Sequence, residues 1–264
     1  MNPIKTVFDK SLYNYLKEKQ PLAIAFSGGM DSSALILFCH DNQIRYTGFS
    51  LIGLHITDYE IQRIITFRKK YGLNHCFFYF DYRSDPRVVL NSRRRCLHCK
   101  SLLFSGPARY YTRTHTLIDG TNSTDLVGYR PGIEAIKAHG IKSPFADLGM
   151  DKDQIIRLAR QLGMKAAKID SRSCILARFS YGEFLDDLLV ARIRKAEDYL
   201  LEKGLTGFRL RVLGRSDYLL QMDTSQESLF FHIKPFFDEF IKGFGLYSYR
   251  IQIIPFSEIS GYYD

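Results

Sequence analysis

Leu22-Ala23-Ile24-Ala25-Phe26-Ser27-Gly28-Gly29-Met30-Asp31-Ser32-Ser33 reads as a short buried strand over 22–26, a glycine turn, and a helix over about 32–40. Two adjacent glycines let the backbone approach an anion, and the helix N-terminus behind them aims unpaired N–H groups at it. The hydroxyls of Ser27, Ser32 and Ser33 add donors for phosphate oxygens. Bare phosphate would repel Asp31, so its presence points to a bridging Mg²⁺. The lysine and glycine spacing of G-x-x-x-x-G-K-[ST] is missing, which excludes the loop of kinases and GTPases. A capped helix after a tight turn has a similar composition and is the plain structural alternative.

Upstream, Phe8, Leu12, Tyr15 and Leu16 are spaced for one face of an amphipathic helix that Pro21 stops. Downstream come a strand over 45–50, a helix with Ile61, Ile64, Ile65 and Phe67 on its apolar face, and strands over 75–80 and 116–118. Such alternation predicts βαβ units and a parallel, helix-covered sheet. The last strand ends in the turn Asp119-Gly120-Thr121-Asn122. Ligands of these sheets sit at the carboxyl ends of the strands, which places both glycine turns in one site. A helix over 151–162 stops at Gly163. After Phe179-Ser180-Tyr181-Gly182 the pattern changes to a long charged helix over 184–203, strands over 209–213 and 218–222, a Phe-rich helix, and a strand over 247–254. The expected architecture is α/β: a doubly wound parallel sheet over 1–182 and a small α+β domain over 183–264, for acceptor binding or oligomerisation. There is no internal repeat and no low-complexity segment.

The chain of 264 residues is 45% hydrophobic and 25% charged, ordinary for a globular protein with a real core; 20 Phe and 17 Tyr supply the bulk that the absent Trp does not. A net charge of +9 implies an anionic partner, whether nucleotide, acidic metabolite or RNA. The first twenty residues lack the apolar core of a signal peptide, and the longest conspicuous apolar run spans only 34–39. A cytoplasmic location without membrane contact is expected. Five cysteines, an odd number, argue against a disulfide framework and for reduced thiols or a metal site.

Cys96 and Cys99 form a C-x-x-C pair, and Cys174 follows 75 positions after Cys99. Such a set can share a cluster or a zinc ion, or act as metal-free reactive thiols. Arg93, Arg94, Arg95 and Lys100 surround the pair, where positive charge favours thiolate, unless they form a solvated basic loop. Cys39, on an apolar helix, and Cys76, in a Phe-rich strand, read as buried core thiols. By composition alone the Asp119–Asn122 stretch is an Asx-type turn with a helix cap. No histidine sits in an arrangement that compels a hydrolase triad.

S-G-G-x-D-S after a buried strand resembles the signature of PP-loop ATP pyrophosphatases, of the adenine nucleotide alpha hydrolase-like fold, which cleave ATP between the α and β phosphates. Within that superfamily the chain resembles the LarE type, the ATP-dependent sacrificial sulfur transferases that help build the nickel-pincer nucleotide cofactor. Arg95-Cys96-Leu97-His98-Cys99-Lys100, Asp119-Gly120-Thr121-Asn122-Ser123-Thr124-Asp125, Tyr129-Arg130-Pro131-Gly132, Ser143-Pro144-Phe145-Ala146 and the run from Cys174 to Gly182 carry the resemblance. It departs from the family pattern at 53–58 and 213–218, where family residues bind phosphate or metal.

The resemblance implies ATP on Ser27, Gly28, Gly29, Asp31, Ser32 and Ser33, with Gly120, Thr121, Asn122 and Asp125 flanking the ribose and α phosphate. It implies Mg²⁺ on Asp31, helped by Asp125, and Arg130 and Arg178 toward a carboxylate acceptor, a pyridine dicarboxylate mononucleotide. The catalytic residues it implies are Cys174, Asp31 and Arg178. In three-cysteine members Cys96, Cys99 and Cys174 hold a [4Fe-4S] cluster with one iron open to a labile sulfide; in single-cysteine members the residue matching Cys174 gives up its own sulfur and becomes dehydroalanine. A homo-oligomer is also implied, and a face bearing Phe230, Phe231, Phe236, Phe237 and Phe240 would serve it or the core. Related PP-loop enzymes thiolate tRNA, and a nucleotide- or cluster-binding regulatory module is a further alternative.

Overall fold

The computed structural model describes residues 7–127, 131–164, 172–214 and 216–259. Helix α1 (Val7–Lys19) buries Leu12 and Leu16 completely and leads into strand β1 (Leu22–Ala25), whose first three residues are fully buried. Helix α2 (Met30–Asp41) buries every residue from Ser32 to Cys39. A helix without a solvent face over two turns belongs in a core, and its start at Met30 brings Asp31 into its first turn. Strand β2 (Tyr46–Ile52), helix α3 (Asp58–Tyr71) and strand β3 (His75–Tyr79) follow. On α3 only Ile64 of the expected apolar face is fully buried.

Two short helices that periodicity does not announce come next, α4 (Pro86–Val89) and α5 (Arg95–Ser105), before strand β4 (Thr116–Ile118). Helices α6 (Pro131–Ala138), α7 (Pro144–Asp147) and α8 (Lys152–Gln161) complete the sequence of elements on this sheet. Its four strands run in the order β3-β2-β1-β4 and every pairing is parallel, the doubly wound α/β arrangement expected. Leu22 of β1 stands in register with Tyr46 of β2 on one side and Thr116 of β4 on the other. Ala23, Phe49 and Leu117 of these strands pack with Phe104 of α5 and Ile136 of α6 into one apolar cluster, against which Cys76 lies half-buried. The Cys76 thiol meets the Tyr111 hydroxyl at 3.1 Å, so it is a hydrogen-bonded rim residue rather than a wholly buried one; Cys39 is buried.

The chain falls into two compact units. The first comprises Met1–Ile52, Arg63–Phe80 and Cys96–Ser171; the second comprises Gly53–Gln62, Asp81–Arg95 and Arg172–Asp264. The second unit therefore takes in two segments that precede the C-terminal stretch. It contains helix α9 (Asp187–Glu202), strands β5 (Phe208–Gly214) and β6 (Asp217–Asp223), helix α10 (Glu227–Lys242) and strand β7 (Arg250–Ile254). Helix α9 starts at Asp187 because the Asp186 carboxylate caps it, accepting from Leu189 N at 2.8 Å. The sheet order is β5-β6-β7, antiparallel then parallel. Of the aromatic residues on α10, Phe230 and Phe237 are core, whereas Phe231, Phe236 and Phe240 are exposed. Among the described residues no helix is long and apolar enough to cross a membrane.

Candidate functional site

In the first unit, the 27–33 loop turns sharply at Gly28, whose φ of +74° lies in the left-handed region and where a Cβ would stand 2.7 Å from Ile64. The loop then ties itself with short hydroxyl bonds. Ser32 Oγ accepts from Ser27 N at 3.2 Å, lies 3.0 Å from Ser27 Oγ, and donates to Gly29 O at 3.2 Å. Gly29 stands at the N-cap of α2 and offers no side chain, so the first-turn N–H groups have no side-chain cap. An uncapped helix start of this kind, with its positive end outward, suits an anion. Ser27 is the exposed hydroxyl of the loop; Ser32 and Ser33 are buried, and Ser33 N already donates to Gly29 O at 3.0 Å.

The turn after β4 meets this loop directly. A Cβ on Gly120 would lie 2.8 Å from Ser32 N and 3.1 Å from Asp31 C, so the two backbones touch there and only glycine fits. Asp119 fixes the turn, accepting from Thr121 N at 3.1 Å, Thr121 Oγ1 at 2.7 Å and Ser143 Oγ at 2.7 Å. Asn122 and Asp125 clasp each other: Asn122 N donates to Asp125 Oδ2 at 3.2 Å, and Asp125 N to Asn122 Oδ1 at 3.0 Å. The Asx-type geometry read from composition is thus present within the turn that contacts the phosphate loop. Asn122 also donates from Nδ2 to Asp31 Oδ2 at 3.3 Å, and Lys152 Nζ sits 2.5 Å from Asp31 Oδ1. A hard divalent cation that takes one or two carboxylates plus substrate phosphates fits Asp31 in this position.

In the second unit, Cys174 is exposed and heads a tight 3₁₀ turn, Ile175–Arg178. The carbonyls of this turn are gripped by buried guanidiniums. Arg95 Nη1 donates to Leu176 O at 2.8 Å, Arg211 Nη1 to Ala177 O at 3.0 Å, and Arg178 Nη1 to Ser173 Oγ at 2.7 Å and weakly to Cys174 O at 3.5 Å. Arg178 is wholly buried and forks onto Glu197, Nε to Oε1 at 2.6 Å and Nη2 to Oε2 at 3.0 Å. Arg172 pairs with Glu197 as well, and Leu210 N donates to Glu197 Oε1 at 2.9 Å. Burial pushes the Glu197 carboxyl up, but attraction to Arg178 and Arg172, with these hydrogen bonds, outweighs it and holds the group down at about 2.

Arg178 was expected to meet the acceptor; its guanidinium is instead committed to Glu197 and Ser173, beneath the Cys174 turn. Arg130, the other residue expected there, lies outside the described residues. Cys96 and Cys99 stand one turn apart on α5, both half-buried, rather than in a basic loop. Arg95 is buried and donates to Leu176 O in the Cys174 turn. Among the described residues no group of three or more His, Cys, Asp or Glu side chains is disposed to hold a metal ion. Cys96 and Cys99 belong to the first unit and Cys174 to the second.

No family profile matches the chain. It is 30% identical over 210 residues to an uncharacterized protein of Synechocystis sp., with 76% of each chain covered. It is 29% identical to an uncharacterized protein of Methanocaldococcus jannaschii, over 76% of this chain and 78% of that one. It is also 27% identical to the pyridinium-3,5-bisthiocarboxylic acid mononucleotide synthase of Lactiplantibacillus plantarum, over 74% of this chain and 72% of that one. The chain belongs to the LarE-type family. In this LarE-type chain, sequence reasoning brought the two glycine turns together, as the Gly120–Ser32 contact has them, but missed three things that the fold adds. Lys152, first residue of α8, reaches Asp31; its only signal is the capping box of Asp151 and Gln154 that begins the helix. Glu197 and Arg211 reach the Cys174 turn from α9 and β5, and nothing in their neighbourhood marks them.

Proposed function

We propose that the protein is an ATP-dependent sulfur transferase that activates a carboxylate as its acyl-adenylate and converts it to a thiocarboxylate. The observation that carries the reading is the backbone contact between Gly120 and Ser32, which joins an uncapped helix start to a second polar turn at the carboxyl ends of β1 and β4. ATP would lie with its β and γ phosphates on the 27–33 loop and its ribose and α phosphate along Gly120, Thr121 and Asn122. Mg²⁺ bound with it would be held by Asp31 and would neutralise phosphate charge. The acceptor carboxylate attacks the α phosphorus and pyrophosphate leaves, its charge stabilised by the preorganised N–H groups of α2.

The Cys174 thiolate then attacks the acyl carbon and expels AMP, leaving a thioester. Loss of the Cys174 Cα proton to solvent, with breakage of its Cβ–S bond, releases the thiocarboxylate and leaves dehydroalanine. The acceptor that the family resemblance favours is a pyridine dicarboxylate mononucleotide. The test is pyrophosphate release with ATP, Mg²⁺ and that acceptor, followed by the mass of product and protein. Thiocarboxylate formation, with a protein lighter by one H₂S, supports the reading. Pyrophosphate release that depends on tRNA, with steep loss of RNA binding as salt rises, would replace it with tRNA thiolation. ATP binding without turnover for any acceptor would replace it with a regulatory module.

A further inference from the structure

We infer that the end of the first unit opposite the phosphate loop is a docking surface for single-stranded nucleic acid. It is built on Arg45, Arg68, Lys69, Lys70, Arg109 and Arg113, with Tyr110 as the platform on which a base stacks. The inference is independent of the ATP reading. Its starting point is where the charge lies. The first unit holds 20 Lys and Arg against 11 Asp and Glu, which is the whole net charge of +9, whereas the second unit holds 17 of each. Within the first unit, the segments 42–52, 63–80 and 96–118 contain eight Lys and Arg and no Asp or Glu.

The sheet gathers these segments at one end. Leu22 N donates to Arg45 O at 3.0 Å and Thr116 N to Pro21 O at 2.9 Å, so Arg45, Pro21 and His115 stand in one row across the amino ends of β2, β1 and β4. Asn74 Nδ2 donates to Tyr46 O at 2.8 Å, which brings the end of α3, three residues earlier in the chain, to the same rim. Arg109, Tyr110 and Arg113 lie just ahead of β4, on the segment whose Tyr111 stacks on Phe49 with ring centroids 5.7 Å apart. At about 3.3 Å per residue, β1 and the step into Ser27 put this rim roughly 20 Å from the phosphate loop.

All six cations are exposed, and among the described residues none of them is in an ion pair. In the second unit, by contrast, Arg83, Arg87, Arg194 and Arg250 each hold an aspartate. The end of a helix attracts cations whatever their use, which accounts for Arg68, Lys69 and Lys70 on α3. No helix dipole accounts for Arg45 or Arg113, and Arg109 sits on a single 3₁₀ turn. Like charges gathered without counter-charge raise the local potential and attract a polyanion. Between the two arginines Tyr110 is 77% exposed, and its ring stands edge-on against Tyr111 at 5.2 Å. Cations that follow a phosphate backbone, beside an aromatic face that a base can cover, are the combination that binds single strands. An acidic protein would need an apolar centre to its footprint. Of the exposed large apolar side chains described in the first unit (Tyr79, Tyr110, Leu126 and Val127), Tyr110 alone lies at this rim.

The test is fluorescence anisotropy with a labelled unstructured RNA of about 20 nucleotides and its DNA counterpart, titrated over a range of salt. Arg109→Glu with Arg113→Glu should weaken binding by about tenfold or more and flatten the slope of log affinity against log salt by about 1.4, the share of two phosphate contacts. Tyr110→Ala should weaken it by about fivefold or more with the slope unchanged. Arg45→Glu, in another segment, should weaken it as well. Lys203→Glu with Lys242→Glu, an equal change of charge in the second unit, should leave it within about twofold of wild type. The melting temperature reports whether each variant is folded, and ATP affinity should follow none of these changes. Binding of RNA and DNA alike supports a single-strand surface; preference for RNA supports one that also reads the 2′-hydroxyl. Wild type that binds neither strand at about 0.1 M salt overturns the inference. Equal loss in the two double variants overturns it in favour of net charge alone, and tighter binding of polyglutamate than of either strand overturns it in favour of an acidic protein.

Discussion

Where the 27–33 loop keeps its shape with glycine backbone and serine hydroxyls a few residues apart, the turn headed by Cys174 is held by Arg95, Arg178, Arg211 and Glu197, gathered from sequence separations of up to 81 residues. The first construction is local and leaves donors exposed, as a site for a charged ligand that comes and goes requires. The second buries a carboxylate among guanidiniums and leaves Cys174 exposed. Arg178 and Glu197 are both 0% exposed, so their pairing is a fixed frame and not a ligand contact. If Cys174 is the nucleophile proposed above, it gains from such a frame, because a small misplacement of the sulfur is expensive in rate. The difference separates a loop with an exposed, uncapped helix start from a turn whose backbone is held by buried ion pairs.

The sharpest way to break this comparison is Cys174→Ala. Thiocarboxylate formation should fall below detection while pyrophosphate release persists near the wild-type rate, measured in parallel on one sample. Loss of both would place Cys174 in the adenylation step and dissolve the division of labour.

Next in size is Glu197→Gln. It leaves the buried Arg178 and Arg172 facing a neutral amide and should destabilise the fold by about 3–5 kcal/mol, the usual result of breaking a buried ion pair. Urea unfolding measures it. An effect of about 1 kcal/mol or less, the range of an exposed pair, would mean that the guanidiniums are hydrated and the frame is loose.

Gly120→Ala tests the other side. A methyl 2.8 Å from Ser32 N forces the two turns apart, so stability should drop by about 1–3 kcal/mol and ATP affinity should fall with it. Retained ATP affinity would show that the turns bind separately.

The smallest effect is a pH dependence on the sheet side. Burial, with a minor contribution from Arg68, lowers the His75 pKa from 6.5 to about 4, and Ser50 Oγ lies 2.7 Å from its Nε2. The folded state therefore favours the neutral ring. This contribution is complete above pH 6.5 and is lost as pH falls toward 4. His75 should contribute about 2 kcal/mol of the stability lost between about pH 7.5 and pH 5, measured by urea unfolding. His75→Gln should remove that share, while His55, whose pKa burial likewise lowers to about 4, keeps the rest of the slope.

The chain's own order of residues determined the parallel sheet, the strand–glycine–helix loop over 27–33 and the second turn, because each depends on hydrophobic periodicity or on glycine within a few positions. Strand β4 was legible to its limits, 116–118, and the start of α8 was off by a single residue, because Asp151 serves as its cap. Helix α5 was not legible: its alternation of arginine, cysteine and lysine carries no clear apolar face, and only packing of Phe104 shows why it is a helix. The placement of Lys152 on Asp31, of Arg178 on Glu197 and of Arg95 on Leu176 O was decided by tertiary structure alone. An arginine in a motif looks the same whether it faces solvent or a buried glutamate 19 residues away, and only burial, which removes competing water, settles which partner it keeps.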